Sequence, residues 1–159
     1  MNYRNDKTKI SKKAIFRANY ENLEKISDFI QSLCDHAGLS ESTKYIIQLS
    51  VDEACSNIIE HGYISSMEQN RTIECECKIT NNELIIQLHD YGLPFNPIEL
   101  PNPELSTDLE KRARGGLGLF FIKQYMDKVI YKYVSRSNNE KDLTKHGNYL
   151  TLVKRADDR

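Results

Sequence analysis

Three short stretches of this chain carry residues whose types and spacing could do chemistry. In YIIQLSVDEACSNIIEHGY (45–63), Glu53 and Asn57 lie four residues apart, with Glu60 and His61 seven and eight beyond Glu53. On a helix those spacings form one stripe. A carboxylate can accept a proton, and an Asn carbonyl oxygen is a hard ligand suited to Mg2+. Taken alone, the pattern also describes a solvated helix face. In HDYGLPF, Asp90 can accept a hydrogen bond from an exocyclic amine, and Gly92 lets a ligand approach the backbone closely. By itself Asp-x-Gly is only a turn signal. In RARGGLGLFF, Gly115, Gly116 and Gly118 stand beside a helix N-terminus. Free backbone N–H groups and the helix dipole favour an anion there. Arg112 and Arg114 add charge in a form that suits phosphate. The run is neither G-x-x-x-x-G-K-[ST] nor a strand-borne G-x-G-x-x-G.

The elements that must position these residues follow from periodicity. A first strand is expected over 10–18. A helix capped by Asn19 or Asn22 runs to about His36, with Leu23, Ile26, Phe29, Ile30, Leu33 and Ala37 at helical spacing, and Gly38 ends it. Ser40 begins a second helix that continues to about His61 and stops at Gly62. Strands over 71–80 and 83–89 are joined by a tight turn at Asn81-Asn82. All four prolines fall between Leu93 and Arg114, where no period survives, so a functional loop is expected. A third helix opens at Gly115–Gly118, and strands over 128–135 and 148–154 close the chain. The order argues an α+β two-layer sandwich: a mixed sheet with helices on one face.

The 159 residues suit one domain. With 39% apolar and 28% charged residues, the chain is too apolar for a disordered one. No run approaches the ~18 apolar residues of a membrane helix, and no apolar segment follows the basic N-terminus, so neither a spanning segment nor a secretory signal is expected. The net charge of −1 is unevenly spread: +5 over 1–19, −13 over 20–110 and +7 over 111–159. That balance argues against direct nucleic-acid binding, and the split reads either as a seat for an anion near the C-terminal third or as chance clustering of solvated charges. Cys34, Cys55, Cys75 and Cys77 are expected as reduced thiols in a cytosol. In RTIECECKIT, Cys75 and Cys77 alternate with polar residues as the inner face of a strand, which favours core packing over a metal site.

Order and spacing together make the three stretches specific. They resemble the Bergerat-type (GHKL) ATPases: an N-box E-x-x-x-N at Glu53 and Asn57, a D-x-G box at Asp90 and Gly92, and a G-x-G box at Gly116 and Gly118. Within that superfamily, VDEACSNIIEHGY, HDYGLPFNP, RGGLGLFFIKQYMDKVIY and GNYLTLVKR are similar to the anti-sigma-factor serine kinases of RsbW/SpoIIAB type. The resemblance covers roughly 10–155. It implies a Bergerat fold over 10–155, an N-terminal tail over 1–9, and ATP held beneath a lid at approximately 93–114. It implies Asn57 as the Mg2+ ligand, Glu53 as general base, Asp90 as reader of the adenine amine with Gly92 beneath the base, Gly115, Gly116 and Gly118 around the phosphates, and Arg114 on the transferring phosphoryl group. His61 stands where the family often has His, for packing or for a ligand-side hydrogen bond. Asn96 replaces a common Asp and bears on lid geometry.

The function so implied is a cytoplasmic protein serine/threonine kinase and anti-sigma factor, usually a homodimer. It would sequester a sigma factor and phosphorylate a STAS-type anti-anti-sigma protein. Glu53 favours this class over sensor histidine kinases, which commonly carry Asn there, because a serine hydroxyl benefits from a positioned base. The alternatives are an ATP-binding regulatory module without kinase activity and a detached histidine-kinase-type ATPase domain.

Overall fold

Alternating hydrophobicity builds the sheet, and helical periodicity builds the layer that covers it. The computed structural model describes residues 9–63, 71–99, 117–135 and 146–156. Strands β1 (Ile10–Arg17), β2 (Thr72–Ile79), β3 (Glu83–Asp90), β4 (Lys128–Val134) and β5 (Gly147–Arg155) form one sheet in the order β1-β2-β3-β5-β4. Helices α1 (Leu23–His36), α2 (Glu41–Asn57) and α3 (Leu117–Tyr125) make the second layer, with α2 packed between α1 and α3.

The α+β two-layer sandwich is therefore as expected. The sheet is not mixed, however: among the described residues every ladder is antiparallel. Strands β3 and β4 do run the same way, as a helical crossover through α3 delivers them. Strand β5 folds back from β4 and inserts between the two, so each strand meets only antiparallel neighbours.

On β2, Ile73, Cys75, Cys77 and Ile79 are buried while Thr72, Glu74, Glu76 and Lys78 are not. Both thiols are core atoms, and burial pushes Cys75 up to about 12 and raises Cys77 as well. Leu84, Ile86 and Leu88 of β3 and Leu150 and Leu152 of β5 continue this inner face. Above it lie Ile26, Ile30 and Leu33 of α1 and Ile47, Val51 and Ala54 of α2, with Leu23, Phe29 and Ala37 half-buried at the margin. Each fully buried large aliphatic contributes about 1.5–3 kcal/mol.

The helix ends follow their sequence signals. Asn19 Oδ1 accepts from the Asn22 N–H at 3.1 Å and caps a short 3-10 turn over Tyr20–Asn22, which leads into α1. Gly38, with φ 68°, leaves α1 through the left-handed region. Ser40 Oγ accepts from the Thr43 N–H at 3.3 Å and caps α2. One expectation changes here. The second helix does not run on as an α-helix to His61: it ends at Asn57 and continues as a π turn over Ile58–Gly62, closed by the Tyr63 N–H donating to the Ile58 carbonyl at 3.2 Å. A π turn holds an extra residue per turn. Glu60 and His61 therefore leave the stripe begun by Glu53 and Asn57.

Candidate functional site

Two periodicities aim polar groups inward at the same place. On β3, Leu84, Ile86, Leu88 and Asp90 share the inner face, so alternation carries the Asp90 carboxylate into the end of the core, where it is 3% exposed. On α2, the inward positions Ile47, Ser50, Val51 and Ala54 continue to Asn57, which is 8% exposed. Asn57 and Asp90 both line one partly open cavity. Its other walls include Ala54, Ile58, Leu150 and the Phe95 ring. Apolar walls with a few convergent polar groups are what an orienting small-molecule site requires.

The Asp90 carboxylate is held in place. Its Oδ1 accepts from the Gly92 N–H at 2.9 Å and from Asn148 Nδ2 at 3.0 Å. The turn after it is fixed by contact with the end of the π turn. The Leu93 N–H donates to the Gly62 carbonyl at 2.8 Å, and a Cβ on Gly92 would lie 2.5 Å from that oxygen. Gly92 is thus required by backbone approach to Gly62, a reason the D-x-G pattern did not reveal. Gly147, with φ 112°, is required likewise: a Cβ there would lie 2.1 Å from the Asp90 carbonyl oxygen.

The Asn57 amide is in the opposite condition. Its Nδ2 is buried with no hydrogen-bond partner among the described residues. Such a group costs about 1–3 kcal/mol, so it marks a place where a ligand would repay the fold. A half-turn of the amide exchanges nitrogen for oxygen, so the same position offers a donor or a hard oxygen ligand. The residue fits a divalent cation in donor type and in its orphaned state. No cluster of three or more His, Cys, Asp or Glu able to hold a metal occurs among the described residues.

Of the other sequence-predicted residues, Glu53 is half-buried on the shoulder of α2, one turn before Asn57, and is not a wall of the cavity. Gly118 lies in the first turn of α3, which packs against α2. Arg114, Gly115 and Gly116 lie outside the described residues, as does the expected lid beyond residue 99. The His61 ring stacks on Phe95 at the cavity rim, with centroids 5.0 Å apart and planes at 23°. Glu60 accepts instead from the Tyr20 hydroxyl at 2.5 Å. Asn96 caps the 3-10 turn Pro97–Glu99: its Oδ1 accepts from the Ile98 N–H at 3.0 Å, a bond that an Asp would make equally.

Sequence reasoning missed Asn148 and Tyr131. Asn148 stands opposite Asp90 in the β3–β5 ladder, and Tyr131 projects from β4. Both fall within stretches similar to the family, GNYLTLVKR and RGGLGLFFIKQYMDKVIY, but neither was given a role at the site. Only the insertion of β5 between β3 and β4 brings them to Asp90. On the other face of the sheet, His89 is buried against Tyr149, with rings 4.0 Å apart and nearly parallel, and its Nε2 meets the His146 carbonyl at 2.8 Å.

The fold is an α+β sandwich whose helix layer and sheet enclose one apolar-walled cavity. Residues 16–154 match the family model of the histidine kinase-like ATPase domain, and the chain belongs to that family, which implies an ATP site. It is similar to the serine-protein kinase RsbW of Listeria innocua, at 28% identity over 121 residues that cover 74% of each chain. It is similar to the anti-sigma F factor of Oceanobacillus iheyensis, at 31% over 83 residues, 52% of this chain and 56% of that one. The serine/threonine-protein kinase BtrW of Bordetella bronchiseptica matches at 25% over 93 residues, 58% of this chain and 64% of that one. The crystal structure of the RsbU and RsbW domains of a Mycobacterium tuberculosis protein superimposes with a TM-score of 0.61 at 14% identity, covering 92% of this chain and 32% of that one. That last likeness is one of fold. The resemblance carried by the three motifs is borne out by the family match and by these relatives. Among the described residues, no helix is long and apolar enough to cross a membrane.

Proposed function

We propose that this protein is an ATP-dependent protein serine/threonine kinase that also acts as an anti-sigma factor. In this reading it sequesters a sigma factor and transfers the γ-phosphoryl group of ATP to a serine or threonine of a STAS-type antagonist. It works in the cytoplasm as a homodimer and contacts neither nucleic acid nor membrane directly. The observation that carries the reading is the convergence of the orphaned Asn57 amide and the braced Asp90 carboxylate on one apolar-walled cavity. The names of the relatives support the choice of reaction.

The residues divide the work. Asp90 accepts from the adenine amine, and the apolar walls take the faces of the base. Asn57 would hold the nucleotide's Mg2+, and that ion would supply neutralisation of phosphate charge. Gly115, Gly116 and Gly118 offer backbone N–H groups to the phosphates, and Arg114 balances charge on the group in transfer. Glu53, one turn before Asn57 on α2, accepts the proton of the attacking hydroxyl.

The test is incubation of the full chain with labelled ATP, Mg2+ and a STAS-type protein. Acid-stable phosphoserine or phosphothreonine on the acceptor is expected, and Glu53→Ala is expected to lose about 100- to 10,000-fold in transfer while still binding nucleotide. Acid-labile phosphoprotein would support the histidine-kinase alternative. Nucleotide binding without transfer would support the regulatory module. Full activity of the Glu53 variant would remove the base assignment.

A further inference from the structure

Asn148 gathers five hydrogen bonds beside the cavity, although sequence reasoning assigned it no role there. It is 5% exposed. Its Nδ2 faces three acceptors: Asp90 Oδ1 at 3.0 Å, the Leu93 carbonyl at 3.0 Å and the Gly92 carbonyl at 3.2 Å. Its Oδ1 accepts from the Phe95 N–H at 3.2 Å and from the Tyr131 hydroxyl at 2.5 Å. The orientation of this amide is dictated by its neighbours. Backbone carbonyls can only accept and a backbone N–H can only donate, so nitrogen must face Gly92 and Leu93 and oxygen must face Phe95. Burial raises the Tyr131 hydroxyl above its ordinary value and keeps it a donor.

One side chain thus ties together three things: the carboxylate at the cavity floor, the strap Gly92–Phe95 that leaves it, and edge strand β4. We infer that Asn148, braced by Tyr131, is a positioning residue that sets the direction of the Asp90 carboxylate and the root of the strap, and so makes the site select adenine over guanine. The inference rests on the reading of Asp90 as the base reader. Adenine presents an amino group where guanine presents a carbonyl oxygen. An acceptor fixed in direction accepts the first and repels the second. If the carboxylate can swing, it loses affinity for adenine and tolerates guanine better. Asn148 itself need not touch the nucleotide.

The experiment is calorimetric titration of the full chain with ADP and with GDP, Mg2+ present, for the natural protein, Asn148→Ala, Asn148→Asp and Tyr131→Phe. A circular-dichroism melt of each variant checks folding. The natural protein should prefer ADP. Asn148→Ala should lose about tenfold or more in ADP affinity and narrow the ADP-to-GDP preference, because hydrogen bonds to a charged acceptor and to the strap vanish together. Asn148→Asp should lose more, because it turns an acceptor toward Asp90 and two carbonyls. Tyr131→Phe keeps the ring and the amide and should lose about three- to tenfold. The ratio is the deciding readout, since general loosening would weaken ADP and GDP alike. Unchanged ADP affinity and ratio in Asn148→Ala and Tyr131→Phe would overturn the inference, as would equal loss for both nucleotides. If Asn148→Ala and Asn148→Asp do not fold, Tyr131→Phe decides alone by the same criteria. A natural protein that binds no adenine nucleotide would instead sink the function proposed above, and this inference with it.

Discussion

Gly62 and Gly92, thirty residues apart in sequence, meet backbone to backbone: a Cβ on Gly92 would lie 2.9 Å from the Gly62 Cα and 2.5 Å from its carbonyl oxygen. The end of the helix that carries Asn57 is thereby locked to the turn that follows Asp90. Gly92→Ala should destabilise the protein by about 1–3 kcal/mol, since backbone rather than a flexible side chain must give way. Gly62→Ala should cost less, because its Cβ would make only ordinary contacts, with the Asp90 Oδ1 at 3.4 Å, the Ile58 Cγ2 at 3.8 Å and the Gly92 Cα at 4.0 Å. Urea denaturation of both variants makes the comparison, and the reverse order would contradict the contact.

Removing the Asn57 amide should separate stability from binding. The side chain has a buried nitrogen with no partner among the described residues, so Asn57→Ala should leave the nucleotide-free protein within about 1 kcal/mol of the natural one. Its affinity for Mg2+-ADP should nevertheless fall about tenfold or more, and chelation of Mg2+ should shrink that difference between the two proteins. Thermal melts and calorimetry with and without chelator measure both effects. A variant that unfolds readily and binds normally would reverse the assignment.

Acid should weaken the fold through Glu74. Burial pushes its carboxyl up, but the Lys13 ammonium at 2.8 Å and the Tyr91 hydroxyl at 2.8 Å outweigh burial and hold it below its usual value of 4.5. A depressed carboxyl contributes stability above its unfolded value and loses it as pH falls through the native one. The urea midpoint should therefore drop below about pH 4.5. Glu74→Gln should start from lower stability near neutrality and lose less on acidification. Parallel pH profiles for the two proteins would rule Glu74 out as a contributor.

The four thiols should be silent in the folded state. All are buried, and burial pushes Cys34 and Cys75 up to about 12, so almost no thiolate exists at pH 8. Modification by an aromatic disulfide reagent should be slow in buffer and complete in denaturant, with rates that follow the unfolding equilibrium. Fast labelling of even one thiol in buffer would contradict the burial.

The elements were largely legible in the chain because their signals are local. The alternation in RTIECECKIT needs only its neighbours to declare a strand with both cysteines inside. Ser40 and Gly38 mark helix ends because capping and left-handed backbone are settled within a few residues. The spacing from Glu53 to Asn57 likewise implied a shared helical stripe. It could not foretell the π turn at Ile58–Gly62, because that turn accompanies a distant contact, with Leu93 and Gly92.

What the sequence determined alone is therefore the set of strands and helices, the one-turn spacing of Glu53 and Asn57, and the ordered motifs that mark the family. These follow from backbone periodicity and short-range hydrogen bonding, which act along the chain. Tertiary structure alone decided that β5 enters between β3 and β4, which makes the sheet antiparallel throughout and sets Asn148 and Tyr131 beside Asp90. Strand order depends on which apolar faces bury best against one another across long loops, and no local pattern encodes that competition.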